Sequence, residues 1–454
     1  MPSDEGVKLV YDIIARMMEI CRDDYDLLAR CALVNWEFNQ AASRMLYWHV
    51  VISPAFSPVL NLRDTGAISE SSNFSSACLP RNARYVTTFE VSGHISPRPP
   101  PRNTLPEKIS NALSIFVNLV SIRFTPKTYH DNLFQDSGIP ALLNLKNLTE
   151  LSVNTSCTDG AHAPKLVEIV GLRKLTLYSP GRTILELLPA WIERLCKSLV
   201  ELHLRDNCGS ITPGVLKSFV PHIEQSLQAF TLGLSYSLTD DDVFTFLGHI
   251  KNLKHLELMY YWARRIYPHK MLMPIDAPHP RLSSLRSFTV NYPHLRTRKE
   301  VNEFDKWVRR AITGSTDLHT LRLRCEDDYS HLSHDALIVH LVEKHSKTLK
   351  VLELTFVSID KLTSLCAFFQ GLEELSLQAG MNSIPTFIQF LPDYLPHLHT
   401  ASFEIRNVPA AYRAPDALII NTMRKGAPSL RRLTVDGDLW EVRSPHRLRL
   451  LNSV

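Results

Sequence analysis

The tightest constraint on this chain is a short signature that keeps returning. An apolar residue is followed by two variable positions, an apolar one, one variable position and another apolar one. It reads NLTELSV at 147–153, GLRKLTL at 171–177, SLVELHL at 198–204, SLQAFTL at 226–232, NLKHLEL at 252–258 and SLRSFTV at 284–290. It continues as DLHTLRL at 317–323, TLKVLEL at 348–354, GLEELSL at 371–377, HLHTASF at 397–403 and SLRRLTV at 429–435. Two looser copies, YVTTFEV at 85–91 and NLVSIRF at 118–124, come first and make thirteen. The leading apolar residues run from Val86 to Leu430, about 29 residues per step, with individual steps from 23 to 33. Self-similarity sustained over this length specifies stacked repeats rather than one globular core, and the uneven steps an irregular array.

The end of each copy alternates apolar and polar, as in a strand buried on one face only. The position between the last two apolar residues is Glu90, Arg123, Ser152, Thr176, His203, Thr231, Glu257, Thr289, Arg322, Glu353, Ser376, Ser402 and Thr434. All thirteen are polar, so one sheet face is expected to meet water. Amphipathic helices are predicted between the copies. Thr239 caps one that carries Val243, Phe246, Leu247 and Ile250, Thr212–Pro213 opens another, and Asp360 a third. The fold expected is an α/β solenoid, an irregular arc of about thirteen strand–helix repeats with strands on its concave side. The repeat resembles the leucine-rich repeat over about 370 residues. It departs from that family where an Asn or Cys normally follows the strand to join a turn ladder; only Asn207 fits.

Composition narrows the class. The 454 residues are 44% hydrophobic and 21% charged, ordinary for folded protein, with a formal net charge of only +4. No basic stripe marks a nucleic-acid protein, so no nucleic-acid partner is expected. The eight cysteines form no CxxC pair and read as reduced thiols packed as small apolar groups. The opening MPSDEGVKLVYDII lacks the pattern of a secretory signal, and no apolar run suits a membrane span. A cytoplasmic or nuclear protein is expected, with no membrane partner.

Residues 1–52 lack the repeat and read as three helices: near 9–21, near 26–34, and from Trp36 to Leu46. Residues 53–82 read as a linker and 83–454 as the repeat domain. The stretch DLLARCALVNWEFNQAASRMLYWHVVIS resembles the second and third helices of an F-box, as in fungal F-box proteins with leucine-rich repeats. The features that carry the resemblance are the run Leu27 to Val34, then Trp36, then A-x-R-x-LY from Ala42 to Tyr47. Where the family opens on Leu-Pro, this chain has Leu9-Val10. The resemblance implies a substrate receptor of a cullin-type ubiquitin ligase. The F-box would dock on a Skp-type adaptor and the repeats would hold an unknown protein substrate. It also implies adaptor contacts at Leu9, Val10, Ile13, Ile14, Met17, Leu33 and Val34. Two other readings are a plain leucine-rich scaffold and a leucine-rich regulator of an enzyme.

For a partner on the strand face, the candidates are His203, Arg205, Glu257, Arg322, Arg324 and Glu353, where both signs of charge interleave. The insertion MYYWARRIYPHKMLMPIDAPHPRL at 259–282 adds Tyr261, Trp262 and Arg265, residue types that dominate binding hot spots. SPRPPPR at 96–102 contains P-x-x-P, a polyproline ligand pattern or a stiff loop. His331, His334, His340 and His345 cluster without zinc-ligand spacing. No nucleotide loop, nucleophile elbow or HExxH is present. Neither metal nor cofactor is expected, and the protein is not expected to be an enzyme.

Overall fold

The computed structural model describes residues 10–53, 72–94, 105–127, 138–155, 162–261, 282–293, 295–325, 334–354, 368–379, 395–405, 429–435, 438–444 and 447–451. The chain divides into two compact units, Met1–Ile211 and Thr212–Val454. The first opens with three helices, α1 (Tyr11–Ile20), α2 (Tyr25–Cys31) and α3 (Trp36–Tyr47). Six strands follow: β1 (His49–Ile52), β2 (Thr88–Gly93), β3 (Ser121–Pro126), β4 (Glu150–Asn154), β5 (Lys174–Tyr178) and β6 (Glu201–Asn207). All pair in parallel with their sequence neighbours. The helices between them are α4 (Ser72–Ala77), α5 (Pro80–Ala83), α6 (Leu105–Ile115), α7 (Gly138–Leu143), α8 (Ala163–Leu166) and α9 (Arg182–Leu195). Of these, α4 lies within the stretch read as a linker, and α5 crosses its end by one residue.

The second unit repeats the plan with β7 (Ala229–Leu234), β8 (His255–Met259), β9 (Ser287–Tyr292), β10 (Thr320–Cys325), β11 (Val351–Leu354), β12 (Glu374–Ala379), β13 (Thr400–Ile405) and β14 (Arg432–Val435). Its described helices are α10 (Pro213–Ile223), α11 (Asp240–Gly248), α12 (Arg298–Ile312) and α13 (Asp335–His345). Beyond β14 the chain reverses, and β15 (Asp438–Ser444) and β16 (Arg447–Leu451) add antiparallel strands. The helix expected at Asp360 lies outside the described residues.

Each copy of the signature supplies one strand, β2 to β14. The register keeps equivalent positions opposite one another. Glu90 faces Arg123, then Ser152, Thr176 and His203; in the second unit Thr231, Glu257, Thr289, Arg322, Glu353, Ser376, Ser402 and Thr434 line up likewise. The fold is an α/β leucine-rich-repeat solenoid. β1 is a further rung in this register, with Val50 opposite Phe89 and the apolar Val51 in the polar slot opposite Glu90. Apolar residues flanking that slot are sealed, as with Phe89, Val91, Ile122 and Phe124. Full burial of one such side chain contributes about 1.5–3 kcal/mol. The expectation that the polar slot meets water in every copy needs correction. Thr176, Thr231 and Thr289 are nearly sealed, tolerable because a threonine is small and can satisfy its hydroxyl locally, as Thr231 does on Glu257.

Neighbouring rungs are joined by backbone at their strand entries. The carbonyl of Trp48 accepts from the N–H groups of both Thr87 and Thr88. The carbonyls of Thr87, Val120, Thr149 and Arg173 each do the same for a pair on the next rung, ending at Val200 and Glu201. In the second unit the carbonyls of Gln228, Lys254, Arg286, His319, Lys350, Glu373 and His399 continue the scheme to Arg431 and Arg432. Backbone thus ties these rungs together at their strand entries.

Helix starts follow the sequence. Thr239 and Asp242 form a reciprocal capping box on α11, and Thr297 and Glu300 form one on α12. Thr297→Ala is expected to destabilise the second unit by about 1 kcal/mol in chemical denaturation. Trp191 of α9 is fully buried, and its indole N–H donates to the Ile169 carbonyl at 2.9 Å. The described cysteines are free. No described helix is long and apolar enough to cross a membrane.

Candidate functional site

Two surfaces hold the residues that the sequence singled out. The first is built on α1, α2 and α3. Asp24 accepts the N–H of Leu27 at 3.1 Å and caps α2; Asn35 accepts that of Phe38 at 2.9 Å and caps α3. The Asn39 amide donates to the Ala32 carbonyl at 2.7 Å, pinning the turn between the helices. That turn carries Leu33 and Val34, 86% and 64% exposed. On α1, one side faces inward through Ile14 and Met18, which pack with Leu28, Ala41 and Ala42. The other side presents Val10, just ahead of the helix, then Ile13, Met17 and Ile20, spaced three or four residues apart and all exposed.

Of the expected adaptor contacts, Val10, Ile13, Met17, Leu33 and Val34 therefore stand in water. Ile14 does not: it is 2% exposed and belongs to the small core, because it lies about 100° round the helix axis from Ile13, on the side it shares with Met18. Leu9 lies outside the described residues. The sequence reading missed Ile20 and Trp36, 74% and 71% exposed. Apolar side chains this numerous on so small a domain form more open surface than a folded domain needs to leave. The 3.6-residue period of α1 could have separated the two stripes.

The second surface is the polar strand face. In the first unit Glu90 sits 3.7 Å from His49 and 3.5 Å from Arg123. Glu201 takes Lys174 at 3.3 Å and His203 at 3.2 Å. Burial would raise the Glu201 carboxyl, but the His203 hydrogen bond and Lys174 outweigh it and hold it below the usual carboxylate value. Burial pushes the His203 imidazole down, against the pull of Glu201, and Lys174 and Arg205 push the same way as burial. His203 is therefore neutral at pH 7 and presents a hydrogen-bonding ring rather than a cation. Arg205 is partly exposed and precedes Asp206, whose backbone is left-handed (φ 60°).

In the second unit the charges are cross-strand pairs. Arg324 grips Glu353 through Nε and Nη2 at 3.0 and 3.2 Å. Arg322 lies 3.4 Å from Glu353 and 3.6 Å from Glu374. Glu257 accepts from Asn291 at 3.1 Å and Thr231 at 3.4 Å. The interleaved signs that the sequence suggested would face a partner are thus matched within the face. Each such exposed pair is worth about 0–1 kcal/mol, so a partner can displace one at small cost.

The insertion is described only at its start and its last residue, with Trp262 and Arg265 outside the described residues. Tyr260 is buried against Phe304 and Trp307. Tyr261 is partly buried and packs edge-to-face on the exposed Tyr236, with centroids 5.8 Å apart. SPRPPPR and His331 also lie outside. His334, on the border of α13, is buried, with Nδ1 2.7 Å from Asp305 and Nε2 3.4 Å from the Tyr292 hydroxyl. His340 and His345 stack edge-on at 5.8 Å. Among the described residues no three His, Cys, Asp or Glu side chains gather to hold a metal.

No family model matches the chain, and no curated protein matches it. Among solved structures it is similar to TLR13 in the TLR13–ssRNA13 complex, at 14% identity and TM-score 0.34. That match covers 81% of this chain but only 56% of TLR13, so the chain spans little more than half of its length. A second likeness is to the yeast Rad7–Elc1 complex, at 14% identity and TM-score 0.38, covering 87% of this chain and 88% of that one.

Proposed function

We propose that the protein is the substrate-recognition subunit of a cullin-type ubiquitin ligase. Its helical domain docks on a Skp-type adaptor, and its repeats hold the protein to be modified. The observation that carries this reading is the set of exposed apolar side chains, Val10, Ile13 and Met17 at α1 and Leu33 and Val34 on the turn between α2 and α3, the two helices being capped by Asp24 and Asn35. Such side chains cost free energy in water and recover it against an apolar partner surface. A receptor of this kind performs no chemistry. It raises the local concentration of substrate beside the charged conjugating enzyme, which is why the reading needs no catalytic residue, metal or cofactor. A protein target suits the polar strand face, whose displaceable pairs can be exchanged for pairs across an interface.

The test is co-expression of the full chain with a Skp-type adaptor, followed by titration of the purified components. A complex at micromolar concentration or below is expected. Ile13→Asp and Leu33→Asp, both at exposed positions, are each expected to weaken it about 30-fold while leaving the melting curve unchanged. Ile14→Asp is expected to unfold the small domain instead. If the wild-type chain forms no complex, the receptor reading falls and a leucine-rich scaffold without ligase role takes its place.

A further inference from the structure

The strand face neutralises its own charge; the helix side of the second unit does not. α12 buries Val301, Phe304, Asp305, Val308, Ala311 and Ile312, which leaves a basic side outward. Lys299 is exposed there, and Lys306, Arg309 and Arg310 are partly so. Lys344 on α13 and Lys347 just beyond it are exposed. Among the described residues none of these six cations has a carboxylate within ion-pair distance. The acids nearest in sequence are few: Glu300 is spent on the capping box, Asp305 is buried on His334, Glu303 has a partner of its own, and Glu343 is exposed on α13.

Two further observations point to an anion. Arg310 is partly exposed, yet its Nε and Nη2 have no exposed surface and, among the described residues, no acceptor. That edge is the fork which grips a carboxylate or phosphate with two parallel bonds, and leaving it dry and unpaired is costly. His340, between the two helices, is held below its ordinary value by burial and then by Arg309, so the positive field is felt there. The only large apolar residue exposed on α12 or α13 is Val339.

We propose that the helix side around α12 and α13 is a second docking surface, which takes an acidic segment of a protein partner. Carboxylates of the segment pair with Lys299, Lys306 and Lys344, and one engages the Arg310 fork after its flexible stem turns outward. The face favours a peptide over nucleic acid because no described aromatic side chain stands exposed on either helix for a base to stack on. The surface is independent of the adaptor reading.

The experiment uses the full chain and a labelled peptide repeating Glu-Glu-Leu, with its Gln-Gln-Leu counterpart as control, read by fluorescence anisotropy. The acidic peptide is expected to bind with affinity that falls as salt rises, and the neutral one not to bind. Lys299→Glu with Lys306→Glu, both toward solvent, is expected to weaken binding about tenfold or more. Arg310→Lys keeps the charge and removes the fork, and is expected to weaken it about fivefold. Lys217→Glu, on α10, makes the same kind of charge change at a distant exposed site and is expected to have no effect. Four results would each overturn the proposal: no binding by the wild-type chain, equal binding of the neutral peptide, an equal loss in Lys217→Glu, or tighter binding of a DNA duplex that the same variants abolish.

Discussion

Asp305→Ala is expected to cost the second unit about 3–5 kcal/mol, the usual penalty for removing one partner of a buried charged or strongly polar pair. Asp305 and His334 are both 1% exposed and 2.7 Å apart, tying α12 to the border of α13. His334 Nδ1 faces the Asp305 carboxyl, and its Nε2 lies 3.4 Å from the Tyr292 hydroxyl. The rings of Phe304 and Tyr292 enclose the pair, so water cannot replace the lost acid. Chemical denaturation of the full chain, followed as a two-stage transition, reads the loss in one stage only. The double variant Asp305→Leu with His334→Leu is expected to recover most of it, since an apolar pair of similar volume is often as stable as the polar one. Equal stability of Asp305→Ala and wild type would show that the contact contributes nothing.

The second large effect depends on pH. His345 is 1% exposed, neither ring nitrogen has a hydrogen-bond partner among the described residues, and burial, followed by His340 and Lys344, lowers its pKa to about 4. The unfolded chain holds this imidazole near 6.5. Between those values the unfolded state binds a proton that the folded state refuses, so stability falls as pH drops from about 6.5 to about 4. The full shift corresponds to about 3 kcal/mol, nearer 2 once screening by water is allowed for. His340 and His203 are lowered as well and tilt the curve the same way. His345→Phe is expected to flatten most of the second unit's acid sensitivity in this window and to raise its stability at pH 5. A variant with the wild-type pH profile would rule His345 out as the source.

The sequence exposed the solenoid because burial on one face leaves a period-two trace, and thirteen copies make it hard to mistake. It hid β1, because Val51 breaks the polar slot that marks every other rung. It also hid the closing strands β15 and β16, which follow no repeat. The small domain's helices were legible from their apolar spacing. Which apolar side faces out was not, because Ile13 and Ile14 are chemically alike and differ only in angle about the helix axis. The strand-face charges were legible as residues but not as pairs. Arg324 and Glu353 are 29 positions apart, and only the register brings them together.

The doubled hydrogen bonds at each strand entry have a consequence for how such a chain can change. Alignment between rungs is fixed at one end of each strand by backbone alone, so it does not depend on which side chain sits there or on how far the chain travels before returning. Residues can be inserted or deleted on the return path without shifting the next strand, which is how steps of 23 and 33 residues share one register. Evolution can therefore lengthen a loop such as that at 259–282 one residue at a time, remodelling what the protein meets while the array keeps its place.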